Sequence, residues 1–354
     1  MFFYIFSTLF IVIFGLFGGY SKNKEFAAFS RFFVFVWLFF FSAARYGIGT
    51  DYPHYEFYYD AIGNGNKIYK FSSPLYYCLN LICNFMQLDF KSFIVICSFL
   101  TCFFFFVSTV KKSFIFEVLL FYALIYIQSF CLIRQMLACV IAIYAYKTQK
   151  SGFSRSVWLV IAALFHHTFW VVILIDILSR RIKLHLQSVV ILSLCAFILF
   201  FFTNFISYAL RLANTFLPIS IGEGYFLLIR RLGLLVLIRY AFVFLFLYSV
   251  NIIDRRNWEI NLLFLAMFIV EFSGTRMLIL ASRFPQTFYP AFFLIFTNSN
   301  VNKINRSLMK PYSIFKITFL FSIFLAFLIL FTQLSTGFHL NNVVPYRWVF
   351  FEGW

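Results

Sequence analysis

Acidic residues are what this sequence most lacks. Its 354 residues hold 12 Asp plus Glu against 29 Lys plus Arg, and all charged residues together reach only 12%. A soluble domain is about a quarter charged, so a soluble globular protein is excluded. Alternation of apolar and polar residues with period two is also missing, which excludes an outer-membrane barrel. No CxxC, HExxH or HxxxH pattern occurs, so no metal is assigned. The cysteines Cys78, Cys83, Cys97, Cys102, Cys131, Cys139 and Cys195 all fall inside apolar segments and read as small buried hydrophobes rather than disulfides. There is no low-complexity linker, soluble insert or internal repeat. The first apolar run, Phe2–Gly19, lacks a basic n-region and a small-residue cleavage site, and reads as a retained span.

What is present is apolar and aromatic: 63% hydrophobic, 24% aromatic, with mean hydropathy +0.91. The apolar runs are continuous, as membrane-spanning helices require. At about 20 residues per crossing, residues 1–354 predict a single all-α bundle of roughly ten to twelve transmembrane helices. The net charge of +17 fits cytoplasmic loops and lipid phosphate contacts, so membrane lipids, not nucleic acid, are the expected partners.

Candidate spans are Phe2–Gly19, Phe26–Ala44, Phe93–Val110, Phe114–Cys131, Leu132–Tyr146, Val157–Leu178 with an interruption, Leu186–Leu210, Leu232–Ile253, Ile260–Leu280, Phe284–Thr297 and Ile314–Leu334. Pro74–Leu88 is too short for a confident crossing. The basic groups Lys22/Lys24, Lys147/Lys150/Arg155, Arg180/Arg181/Lys183, Arg255/Arg256 and Lys303/Arg306/Lys310 form the natural cytoplasmic set. The N-terminus, an outer loop 45–73, an outer loop 211–231 and the tail 335–354 then lie outside. Two segments satisfy this scheme only as re-entrant pieces. Pro74–Leu88 must not cross if Lys111/Lys112 is inside, and the chain must turn back near His166-His167 if Arg180/Arg181 is inside. Re-entrant backbone is tolerated only where protein or a water-filled cavity surrounds it.

On this map the polar residues converge on the outer half. The most informative stretch is Arg45-Tyr46-Gly47-Ile48-Gly49-Thr50-Asp51-Tyr52, a cation and a carboxylate separated by two glycines at the exit of an apolar run. Glycine opens backbone conformations that let such a loop fold closely, and ionisable residues at a membrane edge usually serve function. Arg134, with Gln135, interrupts an apolar helix. A guanidinium grips phosphate oxygens bidentately, although an arginine near a helix end also snorkels. His166 and His167 interrupt the next apolar run, and histidine suits proton transfer near neutral pH, although a buried His is more often a hydrogen-bond node. Arg283 between two apolar runs reads equally as a loop charge, and Arg239 is deep enough to need an anionic partner. Tyr52, Tyr55 and Tyr346, with Tyr58 and Tyr59, suit sugar faces or a headgroup aromatic belt equally.

These blocks resemble the EpsG-like family of Wzy-type polysaccharide polymerases: Arg45 to Tyr52 with Tyr55, then Ile133-Arg134-Gln135 with Ala138, then Ala162 to His166 after a basic loop, and Ser282-Arg283 before a late span. The resemblance implies a metal-independent, cofactor-free glycosyltransferase of the cytoplasmic (inner) membrane, similar to the GT-C class, with its active site facing outward. It would join undecaprenyl-pyrophosphate-linked repeat units into surface polysaccharide of O-antigen type. Arg45, Arg134, Arg283 and Arg239 would bind pyrophosphate, while Tyr52, Tyr55, Gln135 and Tyr346 would bind sugar. Asp51, His166 or His167 would be the catalytic base, with His166 favoured of the pair. A separate chain-length regulator is implied by analogy with such pathways. The rival expectations are a lipid-linked oligosaccharide flippase and a membrane sugar acyltransferase.

Overall fold

The computed structural model describes residues 2–149, 151–202, 243–248, 251, 258–273, 283–294 and 296. Among these residues the chain is mostly helical, with no β-strand. The first part runs through α1 (Phe2–Tyr20), α2 (Lys24–Ala43), α3 (Tyr52–Gly63), α4 (Pro74–Phe85), α5 (Phe90–Ser108) and α6 (Phe114–Phe121). Then follow α7 (Ile133–Thr148), α8 (Gly152–Phe165), α9 (Trp170–Ser179), α10 (Leu186–Phe202) and α11 (Trp258–Ser273). Among the described residues, four stretches are long and apolar enough to cross a membrane: Phe3–Tyr20, Lys24–Ala43, Phe90–Ser108 and Lys111–Phe130. Gly152–Phe165, His167–Ser179, Leu186–Ile198 and Trp258–Val270 are shorter apolar helices. The protein is therefore an all-α, polytopic membrane protein. Arg239, Tyr346, the loop 211–231 and the tail 335–354 lie outside the described residues.

Local sequence accounts for the helix starts. Asn23 caps α2 by accepting from Glu25 N and Phe26 N, and Asp89 caps α5 by accepting from Ser92 N at 2.8 Å. Pro53 and Pro74 sit in the first turns of α3 and α4, where a missing N–H costs nothing. The fourth long stretch is not one α-helix. After α6 it widens to a π turn over Tyr122–Tyr126, where Tyr126 donates to Leu38 O at 2.9 Å, and closes as a 3₁₀ turn over Gln128–Phe130.

The core is built around α7. Met136 to Ile143 are each completely buried, and the small residues Ala138, Cys139, Ala142 and Ala145 let α5 and α8 pack closely on it. Large apolar side chains such as Leu9 and Phe32 remain exposed on α1 and α2, as lipid-facing surface demands. The cysteine expectation holds for five positions. Cys78 and Cys195 are instead exposed.

Direction along the bundle is fixed by a few contacts. Arg134 and Lys147 stand at opposite ends of α7, about 20 Å apart at 1.5 Å per residue. Lys147 pairs with the buried Glu117, which also accepts from Ser113 Oγ at 2.6 Å. At the same end Lys111 reaches Ser21 O, so Lys22/Lys24 and Lys111/Lys112 are neighbours. Between them α2 ascends and α5 descends, leaving α3 and α4 at the Arg134 end. Arg155 and Arg180 share buried Asp176 at 2.9 and 2.6 Å. The α8–α9 pair therefore starts and ends on one side and turns at His166. The chain thus turns back at His166, and α4 begins at the Arg134 end of the bundle.

Candidate functional site

The loop from Arg45 to Asp51 uses its glycines for backbone conformation. Gly47 and Gly49 have φ of 58° and 103°, in the region where a Cβ is disfavoured. A Cβ on Gly49 would also run into the Phe130 carbonyl. The loop is thereby pressed onto the 3₁₀ turn that precedes α7, and it delivers Asp51 to the start of α3.

Asp51 meets Arg283. Nη2 of Arg283 lies 3.0 Å from each carboxylate oxygen, with Arg283 half-exposed and Asp51 largely covered. Arg283 is held from behind, because Gln135 Nε2 donates to its carbonyl at 2.7 Å and to Thr287 Oγ1 at 3.2 Å. Thr287 lies four residues on, in the 3₁₀ turn Phe284–Phe288, and its hydroxyl is 2.9 Å from Thr168 Oγ1. Thr168 in turn is 2.8 Å from His166 Nδ1. One polar string thus joins α7, the α8–α9 break and the late 3₁₀ turn.

Arg134 occupies the first turn of α7. Nη1 donates to the buried Ser73 Oγ at 3.1 Å, and the guanidinium lies 3.7 Å from the Tyr69 ring centroid, with Tyr76 and Tyr55 at 5.6 and 6.0 Å. Among the described residues no carboxylate pairs with Arg134, and its Nε has no hydrogen-bond partner. The α7 N-terminus carries no side-chain cap, so the partial positive charge of the helix adds to that of Arg134. Arg134 and Arg283 both lie within electrostatic reach of His166. Burial pushes the Tyr69 hydroxyl up to about 12. Tyr69 is neutral at physiological pH and leaves the Arg134 charge uncompensated.

His166 is extended (φ −150°, ψ 117°) and ends α8, and its ring stacks on His167 with centroids 4.9 Å apart. His166 is half-buried and His167 exposed. Among the described residues no cluster of His, Cys, Asp and Glu could hold a metal ion. The positive charge of the site is carried by arginine.

Two residues expected at the site are oriented differently from that expectation. Arg45 is 2% exposed and donates to Ser42 O at 2.8 Å and Ser42 Oγ at 2.7 Å, with its guanidinium 4.8 Å from the Phe130 ring. It fastens the end of α2 to the turn before α7. Gln135 is buried with both amide N–H groups engaged, so it braces Arg283 and Thr287. Tyr52 and Tyr55 are buried in a small aromatic core with Tyr59, Tyr76 and Phe93, and Tyr55 borders Arg134. Four site residues carried no distinguishing sequence signal: Tyr69, Ser73, Thr168 and Thr287. An open cleft of about 600 Å³ lined by Asp60, Asn64, Asn84 and Phe85 shares no residue with the cluster.

Comparison with known proteins supplies one match. The model of the EpsG family covers residues 28–348. No curated protein and no solved structure matches the chain. The family match spans most of the sequence, and the chain belongs to the EpsG family, which supports a polysaccharide-polymerase-like role in general terms.

Proposed function

We propose, taking membership of the EpsG family as the premise, that this protein joins undecaprenyl-pyrophosphate-linked oligosaccharide repeat units into a bacterial surface polysaccharide at the outer face of the cytoplasmic membrane. The observation that carries this reading is the meeting of Asp51, Arg134, His166 and Arg283, one carboxylate, two cations and an imidazole from segments far apart in sequence. Glycosyl transfer from a lipid pyrophosphate asks for that set of groups.

In the proposed reaction a hydroxyl of the acceptor repeat unit attacks the anomeric carbon of the donor's reducing-end sugar. The new C–O bond forms as the bond to pyrophosphate breaks, and undecaprenyl pyrophosphate leaves with the bonding pair. Arg134 and Arg283 are preorganised for the charge that grows on the leaving group, the work otherwise assigned to a divalent ion. Asp51 or His166 takes the proton of the attacking hydroxyl. The tyrosine rings packed around Arg134 restrict its guanidinium, whose planar fork suits bidentate contact with phosphate oxygens.

Deletion of the gene tests the reading through the glycan. A polymerase null leaves single repeat units on the final acceptor, whereas loss of a flippase leaves none. Chains of normal length in the null would refute the proposal.

A further inference from the structure

The string Gln135–Thr287–Thr168–His166 has a direction, and its direction fixes the histidine. The Arg283 carbonyl can only accept, so the Gln135 atom 2.7 Å away is the amide nitrogen. The second N–H on that nitrogen faces Thr287 Oγ1 at 3.2 Å. Thr287 is completely buried, so its own hydroxyl proton needs an acceptor. The acceptor within reach is Thr168 Oγ1 at 2.9 Å. Thr168 is buried too, and a proton on Nδ1 would leave its hydroxyl proton without an acceptor in the string, so the Thr168 proton goes to His166 Nδ1 at 2.8 Å. Running the string the other way would aim two donors at the Thr287 oxygen and strand its own proton inside the protein, a costly arrangement.

We infer that Thr287 and Thr168 act as positioning residues that hold His166 neutral with its proton on Nε2, so that the ring meets the substrate as a hydrogen-bond donor to a pyrophosphate oxygen and does not take the acceptor's proton. Nδ1 is occupied by Thr168 and one ring face by His167, which leaves the Nε2 edge. Arg134 and Arg283 both act electrostatically on His166, and an N–H in the field of two guanidinium groups suits an oxyanion. The assignment rests on the polymerase reading for the identity of the anion and settles its open choice of base: the attacking hydroxyl's proton goes to Asp51.

The tautomer is readable without substrate. Histidine-selective ¹⁵N labelling of the purified protein, with the His166 signals assigned by their loss in His166→Asn, should show an unprotonated, hydrogen-bonded Nδ1 and a protonated Nε2. Thr168→Ser should keep this signature and Thr168→Val should lose it. Thr168→Ala, which also removes the hydroxyl at the ring, serves the same purpose if Thr168→Val does not accumulate. In polymerisation assays Thr168→Ser should retain kcat, while Thr168→Val should lower kcat about 10- to 100-fold with KM little changed, since the donated bond strengthens in the transition state. A protonated Nδ1 in the wild type, or an Nε2–H signature untouched by removal of the hydroxyl, would overturn the inference. An intact signature in a protein with no polymerising activity would instead refute the functional reading.

Discussion

Asp51 and Arg283 are 232 positions apart in the chain, yet one nitrogen of the Arg283 guanidinium stands 3.0 Å from both oxygens of the Asp51 carboxylate. The pair closes the Arg134 end of the bundle by tying the glycine loop to the late 3₁₀ turn. Arg283 is half-exposed, so solvent screens the ion pair and it adds little to stability. Exposed pairs contribute about 1 kcal/mol or less.

Arg283→Ala is therefore expected to change thermal stability in detergent by about 1 kcal/mol or less and to lower polymerisation at least about 100-fold. Both are measured on one preparation. A large loss of stability with unchanged activity per folded molecule would make the pair structural.

Arg134→Lys should fail to replace arginine. A lysine keeps the charge but loses the stacked plane against Tyr69 and the paired donors, so activity should stay close to that of Arg134→Ala. Comparison of the two variants at equal protein level checks this. Near wild-type activity with lysine would reduce the role of Arg134 to a point charge.

Arg45→Ala should behave in the opposite way. Its guanidinium is buried against Ser42 and Phe130, so its removal should lower folded protein, by about 2–4 kcal/mol of stability if the loss resembles that of other buried charge networks. Yield from membranes and the thermal midpoint report it. A stable Arg45→Ala protein that lacks activity would return Arg45 to the substrate.

Gly49→Ala should also destabilise, by about 1–3 kcal/mol, because φ is 103° and the added carbon meets the Phe130 carbonyl. Gly47→Asn should be milder, since φ is 58° there and nothing lies near the added carbon. A thermal scan of the two variants checks the order.

These contrasts mark how far the sequence could be read. The glycine loop, Arg134 and the break at His166 were legible because each puts polar or flexible residues where an apolar run should continue. The return of α9 to the basic end was legible from the charges of Arg155 and Arg180, which do share Asp176. The inward turn of Arg45 was not, because a cation at a helix exit reads the same whether it faces substrate or its own helix three residues back. Gln135 gains its meaning from contacts with Arg283 and Thr287. Thr168 and Thr287 are ordinary membrane-helix residues until the fold brings their hydroxyls together across 119 positions. Tyr69 reaches Arg134 through a backbone φ of 66° that nothing in its neighbours announces.

The most direct measurement of the central claim is polymerisation by the purified protein in lipid vesicles supplied with undecaprenyl-pyrophosphate-linked repeat units and a chelator. A ladder of lengthening glycans is expected, with one undecaprenyl pyrophosphate released per bond formed and loss of both in Arg134→Ala. A wild-type protein that releases no pyrophosphate lipid, or an Arg134→Ala ladder equal to the wild type's, would contradict it.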